Sequence, residues 1–223
     1  MEFDSNKTIS IIFDTEWYVP LTDRSTSSSF SSLKVNPAKP DHKYLGGVFY
    51  RFFPLNKKGN TQREQFWVND LSKDEEKRVL SDSYSFFKKT WQMIEGKNSN
   101  VPDLVTLGTG ITRLDLPGLY TKCQYYAIDS NDILYETLMK TRAVDLSDVA
   151  IPFFNRGRPE ILYPITTNSI VDRLKVNAER KNTGKSVWEM VDTGDIDAVK
   201  RRTSEEVDTL IKIYDSMVKH IFH

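Results

Sequence analysis

Cysteine is nearly absent from this chain: Cys123 is the only one in 223 residues. An internal disulfide is therefore excluded, as is a cysteine-rich zinc site, and a reducing compartment fits. An excess of either charge is also missing. Lysine plus arginine and aspartate plus glutamate each total 31, for a formal net charge of zero. No global field draws in a polyanion, so such a partner has to be held by a local basic patch or by bound cations. No apolar run approaches the roughly 18–20 residues of a membrane span. The first residues, Met1-Glu2-Phe3-Asp4, lack the charged-then-apolar pattern of a secretory signal. The expectation is a cytoplasmic chain without membrane contact.

What is present suits a packed core. Hydrophobic residues make up 39% and aromatics 12%, an ordinary globular composition, and the length fits a single domain over residues 1–223. Thr8 to Phe13 is an apolar, β-branched run that ends on Asp14-Thr15-Glu16-Trp17 and reads as a buried strand with acids at its end. Residues 22–43 are serine-rich and poor in large apolar side chains, which predicts a mobile insertion. Strands are expected at Tyr44 to Phe53 and Gln65 to Asn69, joined across Asn56-Lys57-Lys58-Gly59-Asn60. Ser72 and the acidic turn Asp74-Glu75-Glu76 open a helix that runs to Gly96. Asp103 to Leu107 predicts a second buried strand, followed by Gly108-Thr109-Gly110 and a helix near Asp115-Leu116-Pro117. A helix over Ile128 to Lys140 and a short strand at Ala143 to Asp145 come next. The C-terminal third reads as helices broken near Gly157-Arg158-Pro159, Gly184 and Gly194. This order, β-β-β-α-β-α-β-α, predicts an α/β fold: a mixed sheet, with a three-stranded antiparallel meander plus parallel strands, flanked by helices. That is the ribonuclease H-like arrangement.

Asp14 and Glu16 stand two apart on an extended strand and so share a face. Their mutual repulsion is costly unless both meet water or share a cation, and hard divalent ions take such oxygen ligands. Two ordinary acids at a solvated strand end are the alternative. A second group of residues, Leu104 to Leu119, delivers Asp115 beside Pro117. Here the sequence resembles the DEDD class of 3′-5′ exonucleases, whose second motif is a strand, a turn and Phe-Asp-Leu-Pro-x-Leu; Arg113-Leu114-Asp115-Leu116-Pro117-Gly118-Leu119 is similar to it. The alternative for Asp115 is a helix N-terminal acid with no further role. The segment Arg142-Ala143-Val144-Asp145-Leu146-Ser147-Asp148 resembles the short strand and Asp-Leu pair that follow in several members, with Asp145 and Asp148 structural.

The resemblance implies a third motif on the last helix, Thr203 to Phe222, where Glu206-Val207 fits the frame and makes Glu206 the fourth acid, with Asp208 the alternative. The family places a tyrosine or histidine about one turn earlier to deprotonate the attacking water; Arg201, Arg202, Thr203 and Ser204 stand there instead. Of the three histidines, His42 borders the insertion as a solvated loop residue, and His220 and His223 come too late in the chain to fill the place. As a member of this class the chain would hold two Mg2+ or Mn2+ ions on Asp14, Glu16, Asp115 and Glu206. It would cut single-stranded DNA or RNA from a free 3′ end, with Thr15, Trp17 and Arg202 as substrate contacts. Trp17 reads either as a stacking platform for a terminal base or as a core residue. Arg156, Arg158, Arg173, Lys175, Arg180, Lys181, Lys185, Lys200 and Arg201 form a local basic region suited to phosphates or, equally, a solvated charged face. The missing tyrosine or histidine keeps a second reading open: a catalytically inactive module of the same fold that binds nucleic acid or a protein.

Overall fold

Strand β1 (Thr8–Tyr18) is the axis on which the rest of the molecule is arranged. In the computed structural model, which describes residues 8–24, 34–53, 61–95, 103–155, 166–178 and 185–222, β1 pairs antiparallel with β2 (Lys43–Phe52) on one side. On its other side it pairs parallel with β4 (Asp103–Gly108). β3 (Gln62–Trp67) continues the antiparallel meander and β5 (Arg142–Asp145) the parallel half. The five-stranded order is β3-β2-β1-β4-β5. This is a mixed α/β sheet flanked by helices, consistent with the ribonuclease H-like arrangement expected from the element order.

Alternation along β1 assigns its two faces. Phe13 stacks on Phe49 and meets the edge of Phe87, which places α1 (Lys73–Glu95) on that face. Glu16, on the other face, meets side chains of α7 (Ile196–Phe222). Helix α1 begins as predicted: the Ser72 hydroxyl accepts from the Glu75 amide at 3.3 Å, and Asp74, Glu75 and Glu76 occupy its first turn, where acids meet the positive end of the helix dipole. Glu76 is nevertheless buried. It accepts from the Tyr44 amide at 2.9 Å and from the Tyr126 hydroxyl at 2.6 Å, with the ammonium groups of Lys43 and Lys122 at 3.2 and 3.4 Å. One carboxylate shared among two ammonium groups, an amide and a hydroxyl has the further hydrogen bonds that a buried ion pair needs.

Several expectations need correction. β1 does not stop at Phe13: it runs to Tyr18, so Asp14 and Glu16 lie within a strand at the centre of the sheet rather than at its end. What ends early is its neighbour, because pairing with β4 stops at Ile12 and Leu107. β3 begins at Gln62, earlier than predicted. The helix expected over Ile128 to Lys140 starts at Asn131 as α3 (Asn131–Leu134), capped by Ser130, and widens into a π-turn over Tyr135–Met139. Within the serine-rich stretch, residues 25–33 lie outside the described residues, but both flanks are built into the fold. His42 is 2% exposed; its Nδ1 accepts from the Asn36 amide at 2.9 Å and its Nε2 lies 2.8 Å from Asp23. The Lys122 ammonium donates to the Lys39 carbonyl at 2.9 Å. His42 is thus a structural tie and not a solvated loop residue. Three further helices precede α7: α4 (Leu146–Asn155), α5 (Thr167–Leu174) and α6 (Lys185–Asp192). Gly194, at φ 78°, makes the turn from α6 to α7; the breaks expected at Gly157-Arg158-Pro159 and Gly184 lie outside the described residues.

Candidate functional site

The early end of the β1–β4 pairing leaves a notch beside the second half of β1, and three separate elements deliver acids to it. From β1 come Asp14 and Glu16, opposite Val48 and Gly46. The chain leaving β4 turns at Gly110, whose φ of 78° suits glycine, and passes through a π-turn over Ile111–Asp115 into α2 (Leu116–Tyr125). Asp115 closes that π-turn. Its side chain caps nothing; its carboxylate accepts instead from the Thr15 hydroxyl. From α7 comes Glu206.

A cavity of about 240 Å³ opens here, lined among others by Asp14, Glu16, Asp115, Arg202 and Glu206. Carboxylate oxygens of Asp14, Glu16 and Glu206 lie within 4.8 Å of one another. Asp115 is outside that trio but lines the same cavity, and its charge is felt by both Asp14 and Glu16. Burial is the first cause that lifts the Asp14 carboxyl well above its ordinary range, and the charges of Glu206, Glu16 and Asp115 add to it. Burial likewise lifts Glu16 to about 7, against the pull of Arg202. Asp115 reaches about 7 for the same first reason, although the Thr15 hydrogen bond opposes the rise. Crowded, poorly hydrated carboxylates of this kind hold their charge only beside compensating cations. An all-oxygen set facing a polar cavity fits a hard divalent cation such as Mg2+ or Mn2+.

The other residues picked out in the sequence fall in different places. Asp208 is exposed and bonded to Arg63 at 2.6 Å, away from the cavity. Two residues along a helix turn it by about 200°, so Glu206 and Asp208 cannot both face the sheet. Trp17 is 3% exposed; its indole donates to the Thr15 hydroxyl at 3.0 Å and its ring packs on Tyr44 and against Gly118. It is a core residue with one edge on the cavity. Thr15, between Trp17 and Asp115, fixes the orientation of both. Arg202 does not reach outward: it is 8% exposed and donates to Glu16 and, at 2.9 Å, to Glu206. Burial works against its charge, but Glu16, then Glu206 and Asp14, outweigh it and hold the guanidinium above its ordinary value.

Two contributors were missed in the sequence. Thr203 places its hydroxyl 3.0 Å from Glu16. Trp188 of α6 donates to the Trp17 carbonyl at 2.9 Å, at the irregularity where β1 shifts register between Glu16 and Trp17, and forms a wall of the cavity. Asp145, read from the sequence as structural, accepts from the amides of Gly110 at 2.9 Å and Ser147 at 3.0 Å, which secures the turn that leads to Asp115. The i, i+4 spacing of Val199, Thr203 and Val207 was a usable signal for Thr203; Trp188 left none. Asp148 is half-exposed and pairs with Arg113, as a structural role implies. Of the basic region, Arg173, Lys175 and Arg201 are exposed, while Arg156, Arg158, Arg180 and Lys181 lie outside the described residues, as do the side chains of Lys185, His220 and His223. Among the described residues, no tyrosine or histidine lines the cavity. No helix among them is long and apolar enough to cross a membrane. No family model and no curated protein matches the chain.

Proposed function

We propose that this chain is a divalent-cation-dependent phosphodiesterase of the 3′-5′ exonuclease type, acting in the cytoplasm on single-stranded nucleic acid with a free 3′ end. The observation that carries the reading is the convergence of acids from β1, the π-turn and α7 on one cavity, with three carboxylates mutually within 4.8 Å. Asp14, Glu16 and Glu206 would hold the cation, and Asp115 would complete the charge balance. When bound, Mg2+ or Mn2+ polarises a phosphoryl oxygen and lowers the pKa of a ligated water. In the reaction a water oxygen forms a bond to phosphorus, the bond from phosphorus to the 3′ oxygen breaks, and that oxygen takes up a proton. The product is a nucleoside 5′-monophosphate. Trp17, Trp188, Val35 and Leu114 give the cavity an apolar side, suited to the face of a terminal base. Arg202, positively charged and held between two carboxylates, cannot serve as the base that accepts the water proton.

That same position supports a second reading, an inactive module of the same fold that binds nucleic acid or a protein. Incubation with 3′- and 5′-labelled single strands of DNA and RNA, with Mn2+ and with chelator, separates the two. Mn2+-dependent shortening from the 3′ end that disappears in Asp14→Ala supports the enzyme. Equal degradation by the parent and Asp14→Ala rules out this site, and calorimetric Mn2+ binding without cleavage favours the module.

A further inference from the structure

Helix α7 brings a cation to the acids as well as a carboxylate. Arg202 and Glu206 are four residues apart and share a face of the helix. The guanidinium donates one N–H to Glu16 Oε1 and another, at 2.9 Å, to Glu206 Oε1, while the Thr203 hydroxyl stands 3.0 Å from the same Glu16 oxygen. More than nine-tenths of Arg202 is buried, it lines the cavity, and its Nε–H has no acceptor among the described residues. A guanidinium does not deprotonate in a protein. Its planar fork matches carboxylate and phosphate oxygens, and it is more weakly hydrated than an ammonium.

A fixed positive charge in this position limits what the remaining oxygens can hold. Four carboxylates, Asp14, Glu16, Asp115 and Glu206, face one guanidinium around the cavity, so the ionised set carries a charge of minus three. One divalent cation brings it to minus one. A second would make it net positive in a poorly hydrated space, and would compete for the Glu16 and Glu206 oxygens already bonded to Arg202. We infer that Arg202 stands in for one of two cations: the site takes a single divalent ion, held by Asp14, Glu16 and Glu206, with the guanidinium as its resident second positive charge. This inference rests on the reading of the acids as a cation site, and it departs from the two ions that the family resemblance implies.

The test counts ions. The full chain, stripped with chelator, is titrated with Mn2+ at neutral pH and free Mn2+ is followed by electron paramagnetic resonance, with calorimetry alongside. The expected result is one Mn2+ per wild-type chain, two per Arg202→Met chain, and one per Arg202→Lys chain, in which a cation is restored. Two Mn2+ per wild-type chain, or one in both the wild type and a folded Arg202→Met chain, overturns the inference while leaving the cation site standing. No Mn2+ bound by the wild type overturns the cation-site reading itself, and the inference with it. Where Arg202→Met does not fold, by circular dichroism, the wild-type count alone decides: one supports the inference and two refutes it.

Discussion

Replacing Asp115 by asparagine removes a charge and leaves the shape. Asparagine Oδ1 can still accept from the Thr15 hydroxyl that holds the carboxylate, so the hydrogen bond survives while the buried charge does not. The carboxyl ionises at about 7 in the folded chain against an ordinary 3.8. The raised value means that the folded state binds the proton more tightly than the unfolded one. Stability is therefore fully present below pH 4 and is lost as the pH rises through 7. The interval between 3.8 and about 7, at about 1.4 kcal/mol per pH unit, sets a ceiling of roughly 4 kcal/mol on what ionised Asp115 costs the cation-free fold at pH 8. Hydrogen-bonding needs of the new amide, about 1–2 kcal/mol, offset part of that. The expected net gain is roughly 2–3 kcal/mol, or several degrees in Tm at about 2–4 °C per kcal/mol for a chain of this size. Thermal melts with chelator at pH 8 and pH 4 measure it: Asp115→Asn melts higher than the parent at pH 8, and at pH 4, where the parent carboxyl is protonated, the gain is gone and the variant melts slightly lower by the cost of its amide. Adding Mn2+ at pH 8 raises the parent by more than the variant, because the ion compensates a charge that only the parent carries. A cation-free Tm at pH 8 that falls in Asp115→Asn, or a gain of equal size at both pH values, refutes the electrostatic account.

Other outcomes follow from individual contacts. Gly118→Ala puts a Cβ 2.6 Å from the Trp17 ring, and overpacking of this kind costs about 1–3 kcal/mol; chemical denaturation reads the loss, and an unchanged midpoint would show that Trp17 has room to move. His42→Phe leaves the Asn36 amide and the Asp23 carboxylate without their shared partner, which lowers stability by about 1–3 kcal/mol in the same assay. Asp208→Asn loses only a half-exposed pair with Arg63, typically about 0–1 kcal/mol, and keeps full Mn2+ affinity; a drop in that affinity would contradict the assignment of Glu206 as the α7 ligand.

The features that could be read from the sequence were periodic ones. Alternation in β1 put Asp14 and Glu16 on one face, and the helical spacing of Val207, Leu210 and Met217 found the buried side of α7. Glu206, the fourth acid in that reading with Asp208 as the alternative, stands four residues before Leu210 and so falls on that side, whereas Asp208 does not. What periodicity cannot carry is pairing between distant elements. That Arg202 meets Glu16 depends on a contact across 186 residues. Burial of Lys122 likewise follows from Glu76 and from the Lys39 carbonyl, 83 residues away. His42 looked like a loop residue because its neighbours in sequence are polar, whereas its partners, Asn36 and Asp23, fold back on it from either flank of the insertion.

The span of the Glu16–Arg202 contact also orders events in time. Chain synthesis delivers β1 and β2 long before α7, so the acidic pair exists without its resident counterion until nearly the whole chain has emerged. Closing so long a loop is the slow part of such a topology. Docking of α7 against β1 takes Glu16, Glu206 and Arg202 out of water together. Without α7 in place, Asp14 and Glu16 stand side by side on the central strand with no guanidinium beside Glu16, so that stretch of the sheet carries uncompensated negative charge, and like charge of this kind opposes the approach of a second copy.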